Sequence, residues 1–184
     1  MARKRLNIRR IINQSNRLLL SYERKYSKQI ASALREQLNH YAETEVFIDT
    51  ITPVIEDLYR SVTERYFIMQ YTILEESLQK SIFMDTFRAW FEVYLKTQLA
   101  KKVTNINETT LMRLQQVLTP FVKGSFEWDE AVKALSKAFD FSARRALMIA
   151  RTEIGNANNV GKKQSSDEWA MQGSGAQYKI WIHR

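Results

Sequence analysis

Apolar residues recur at three- and four-residue steps along most of this 184-residue chain, the period of a helix with one buried face. Ile8, Ile12, Leu19, Tyr22, Tyr26 and Ile30 open the series, and Leu34, Leu38 and Tyr41 continue it. They predict a first helix over about residues 5–45. Thr50-Ile51-Thr52-Pro53 reads as the next start, with threonine as cap and proline in the first turn. From Val54 the apolar steps run to Leu95 and the pattern meets no breaker to about Ala100, which fits one long helix or two with a corner near Asp85. Residues 101–107 read as a connection, and Asn107 as the cap of a helix that Pro120 kinks or ends and Gly124 stops. A short helix follows from about Trp128 to Phe139, and Ser142 caps a last one reaching as far as Gln172. Tyr178-Lys179-Ile180-Trp181-Ile182-His183 alternates and is rich in β-formers, so it predicts a strand. A lone strand is not stable. Either the chain is a fragment, or another chain supplies the partner. The expected fold is mainly α, with long helices and a short C-terminal β segment in an α+β module read as truncated.

Composition narrows the chemistry. Glycine and proline number five and two, and none precedes Pro53, which favours helices over a sheet with tight turns. The absence of cysteine excludes disulfides, iron–sulfur clusters and thiolate zinc. His40 and His183 are the only histidines and lie in no carboxylate cluster, so no metal site and no cofactor is expected. No apolar run approaches the roughly 18 residues of a membrane span, so no membrane partner is expected. The net charge of +8 is concentrated at one end. Residues 1–28 hold nine basic side chains and one acid, Glu23, while the remainder holds 19 of each sign. Arg3, Lys4, Arg5, Arg9, Arg10 and Arg17 are the candidate contacts for nucleic acid or an acidic partner. A solvated helix face and an arginine-rich transit segment are the competing readings. The four tryptophans fall within apolar patterns and read as core rather than as base-stacking platforms.

The richest segment is residues 145–161. Gly155, Asn156, Asn158, Asn159 and Gly161 make it a poor helix by propensity. By face, however, Ala146, Ala150, Ile154, Ala157, Gly161 and Ser165 share one side, and such small residues let a neighbouring element approach closely. Glu153 lies beside that face. Arg151 is about 200° away around the axis, so the two cannot pair and each needs another partner. No nucleophile–base set accompanies Glu153, so no catalytic residue is assigned and both charges read as structural.

Ile149-Ala150-Arg151-Thr152-Glu153, then Asn156-Ala157, Gly161, a glycine-containing turn and Tyr178-Lys179-Ile180-Trp181 together resemble the C-terminal module of the phage head-morphogenesis family, the Mu F-like minor head proteins. Asn105-Ile106-Asn107-Glu108-Thr109-Thr110 and its leucine-bearing helix also resemble that family. The resemblance divides the chain into a long-helix region with a basic arm (1–102) and the head-morphogenesis module (103–184), the latter incomplete at its C-terminus. The family's strand is usually followed by a segment of the form Asp-x-Arg-x-x-His, and the sequence stops before it; His183 and Arg184 belong to the strand end. The resemblance implies a non-enzymatic minor head protein of a tailed phage. It would lie inside the virion head after assembly in the host cytoplasm, dock on the portal and on capsid or scaffold protein, and contact double-stranded DNA. Arg151, Thr152, Glu153, Asn156, Ala157, Gly161 and Trp181 are its motif residues here. The alternatives are a free-standing basic helical nucleic-acid-binding protein and a fragment of a phage-associated ADP-ribosyltransferase-like toxin.

Overall fold

The computed structural model describes residues 8–44, 46–74, 80–122, 128–138 and 143–171. They form six α-helices: α1 (Ile8–Thr44), α2 (Ile51–Leu74), α3 (Lys80–Tyr94), α4 (Ala100–Val122), α5 (Trp128–Lys137) and α6 (Ala143–Met171). The fold is mainly helical, and no strand occurs among the described residues. The strand expected near residues 177–183, with Trp181, lies outside them.

The α2 start falls at Ile51, inside the expected segment, but the capping differs. Asp49 Oδ1 accepts from the Ile51 and Thr52 N–H groups, while the Thr50 hydroxyl donates to the Ala33 carbonyl of α1 at 2.8 Å. Residues 101–107 are not a connection, and Asn107 does not cap a helix. Both lie within α4, and the Asn107 side chain instead accepts from Gln37 Nε2 of α1. Asp85 is likewise inside α3 rather than at a corner, and α4 runs through Pro120.

A π turn, Leu95–Leu99, joins α3 to α4. Its physical reason is visible in the spacing. Phe87, Phe91, Leu95, Leu99 and Val103 are all buried at strict four-residue steps. In an ideal α-helix each such step drifts by about 40°, so the row would leave the core. The wider π turn absorbs the drift and returns α4 to the same side.

Polar ties give the helix directions. Tyr26 to Asp57, Tyr22 to the Ser61 carbonyl and Tyr66 to the Ser15 carbonyl set α1 antiparallel to α2. Phe67 on Phe87 and Arg60 on Glu92 set α3 antiparallel to α2 as well. Tyr59 to Glu153 and Thr63 to the Ala157 carbonyl advance together, so α2 and α6 are parallel. The result is an up-down-up-down arrangement with α6 packed on both α1 and α2. Position 102/103 lies within α4, and residues from both sides of it share one hydrophobic core.

Candidate functional site

The motif residues of α6 sit at the α1–α2–α6 seam. Ala146, Ala150, Ile154, Ala157, Gly161 and Ser165 are all buried. At Gly161 the contact is backbone on backbone: a Cβ there would lie 2.4 Å from the Thr63 carbonyl oxygen and 3.0 Å from the Phe67 nitrogen. Only glycine fits that approach. One turn earlier, the Thr63 hydroxyl donates to the Ala157 carbonyl at 3.2 Å and ties the two helices directly.

Glu153 and Arg151 find different partners, as their separation around the helix demands. Arg151 Nε reaches Glu23 of α1 at 3.1 Å on the surface. Glu153 is buried, and its Oε2 accepts from the Tyr59 hydroxyl at 2.7 Å and from Asn156 Nδ2 at 3.3 Å. Lys102 Nζ donates to the same Tyr59 hydroxyl at 3.1 Å, linking α4 to the network. The Tyr94 ring stacks on Tyr59 at 6.1 Å. Burial raises the Tyr59 phenol well above its usual range, and the neighbouring Glu153 raises it further. Tyr94 is raised too, by burial first and then by Glu153. Tyr59 therefore stays a hydrogen-bond donor to Glu153. Thr152 is exposed beside it.

Further polar ties hold the ends of the seam. Both terminal nitrogens of buried Arg145 reach the Thr110 hydroxyl of α4 at 3.1 Å. Lys162 lies over the Tyr66 ring at 5.5 Å, and burial lowers its pKa. A shallow cleft of about 220 Å³ separates α2 from α3, but its charged rim is already paired, Arg60 with Glu92 and Arg88 with Glu64. Among the described residues no three metal-ligating side chains gather.

The basic candidates are placed elsewhere. Arg9, Arg10 and Arg17 are exposed on α1, away from the Glu153 network, while Arg3, Lys4 and Arg5 lie outside the described residues. Sequence reasoning missed Tyr59, Thr63 and Lys102. The available signal was a second row on α2, Ile55, Tyr59, Thr63 and Phe67 at four-residue steps, running beside the row that begins at Val54. All four are buried, so α2 is covered on two sides. Among the described residues no helix is long and apolar enough to cross a membrane. No family model, curated protein or solved structure matches this chain.

Proposed function

We propose that this chain is a non-enzymatic minor head or head-morphogenesis protein of a tailed phage. It would act inside the head, docking on the portal or on capsid or scaffold protein, with DNA packaging or ejection as its setting. The observation that carries the reading is the ordered set Arg151, Glu153, Asn156, Ala157 and Gly161 on α6. These residues spend their chemistry on holding helices together: Arg151 on Glu23, Glu153 on Tyr59, Gly161 against the α2 backbone. That is what a structural motif requires: the buried Glu153 carboxylate is taken up by Tyr59 and Asn156.

The test is incorporation. The protein should co-purify with a phage portal protein and should be present in purified heads. Absence from heads assembled in its presence, together with no portal association, would remove the assignment. A second reading, a free-standing basic nucleic-acid-binding protein, is favoured by the exposed cations of α1. It predicts DNA binding with no head incorporation.

A further inference from the structure

Arg10, Arg17, Arg24, Lys28 and Arg35 are all exposed on α1. Their positions fall within about 40° of one another around the helix, at 100° per residue. They form a line rather than a scattered charge, about 37 Å long at 1.5 Å per residue. No acid shares that line. Glu23 is turned to the α6 side and held by Arg151, and Glu36 lies about 100° around the axis from Arg35. The positions between the cations are mostly uncharged and exposed, such as Asn13, Ser21 and Ser32.

We propose that this face of α1 binds the phosphate backbone of double-stranded DNA, without sequence preference. The proposal deepens the nucleic-acid element of the reading above and does not depend on a phage origin. Three observations select the ligand. The line spans about one turn of duplex, roughly 34–36 Å, so a helix laid along the duplex crosses both backbones within its length. Single-stranded nucleic acid is bound with aromatic platforms, and the tyrosines of α1 point elsewhere: Tyr26 donates to Asp57 and Tyr22 to the Ser61 carbonyl. A protein interface has an apolar centre, and Leu20 is the one large exposed apolar residue of the described α1. Arginine and lysine also serve as phosphate ligands with no further pocket.

The experiment measures binding of the full chain to a random-sequence duplex of about three turns, by fluorescence anisotropy, between 50 and 200 mM salt. Three to five phosphate contacts give a logarithmic salt slope of about −2.7 to −4.5, an affinity loss of about 40- to 500-fold over that range. Replacing Arg17, Arg24 and Lys28 by glutamine should make the slope shallower by about 2.7. A control with the same charge change on exposed positions of the α3–α4 helix, Lys96, Lys101 and Arg113 to glutamine, should leave it unchanged. The single variant Arg24→Gln, expected to remove about 0.9 from the slope, keeps the test decisive if the triple variant loses helicity. Equal losses in the two triple variants would make the effect one of net charge and overturn the proposal. Polyglutamate bound as tightly as duplex would also overturn it, by pointing to an acidic protein. Duplex binding with the expected slope in a protein that heads exclude removes the head assignment and leaves this surface standing.

Discussion

Helix α2 meets α6 and α3 in opposite ways. Toward α6 it presents the Thr63 side chain and the backbone of Thr63 and Phe67 to a row of Ala, Ser and Gly, and at Gly161 backbone meets backbone. Toward α3 it presents rings: Phe67 stacks on Phe87 at 4.1 Å, Phe87 on Phe91 at 5.5 Å and Tyr59 on Tyr94 at 6.1 Å. The first contact is close because its side chains are absent; the second is wide because its side chains fill the gap. The α6 seam should therefore be most sensitive to added atoms, and the α3 interface to removed ones.

The largest effect should come from removing a ring. Phe87→Ala empties the centre of the aromatic stack and should cost about 3–5 kcal/mol, read as a lower urea midpoint with unchanged slope. A loss below that of any seam variant would reverse the comparison. Adding atoms comes next. Ala157→Leu forces a branched side chain between α6 and α2 and should cost about 1–3 kcal/mol. A melting temperature equal to wild type would mean that the seam yields.

Removing a polar tie should cost a similar or smaller amount, and it carries a pH signature. Tyr59→Phe leaves buried Glu153 without its closest donor, a loss of about 1–3 kcal/mol. Burial raises the phenols of Tyr22, Tyr26, Tyr59 and Tyr94 in the folded protein. A raised folded pKa contributes stability that is complete below the unfolded value of 10.0 and is lost as pH rises through the folded value. Unfolding free energies from urea melts should thus fall above pH 10, by at most about 1.4 kcal/mol per pH unit for each such group. The Tyr59→Phe variant should show a shallower fall, and an unchanged slope would mean that Tyr59 ionises as readily in the fold as outside it.

Two glycines of α6 sharpen the comparison further. Nothing lies within 4 Å of the Cβ position at Gly155, so Gly155→Ala should stabilise by up to about 1 kcal/mol through helix propensity. Gly161→Ala should destabilise despite the same propensity gain, because its methyl meets the Thr63 carbonyl. Changes of the same sign in the two would contradict the backbone contact. The smallest effect belongs to the solvated side: Lys163→Ala should stay within about 0.5 kcal/mol in thermal unfolding.

By itself the sequence determined the helical class, most helix ends and the small-residue side of α6. These follow from local rules, since a 3.6-residue period and a lack of turn formers specify a helix without reference to its neighbours. It also located the charge: Arg10, Arg17, Arg24 and Lys28 were legible as a basic segment, and only Arg35 extends their line beyond it. Tertiary structure alone decided where those features point. Residues 101–107 looked like a connection because Thr104, Asn105 and Asn107 favour turns and caps. Packing overrode that preference, burying Val103 and Thr110 and giving Asn107 a partner in Gln37. The π turn likewise became necessary only once Phe87, Leu95 and Val103 had to face one core. Glu153 could be placed beside the small face from its spacing, but Tyr59 is 94 positions distant, and no local rule pairs residues that far apart. Their contact depends on α2 and α6 lying parallel in register, which is set by how closely Gly161 lets the two backbones come together.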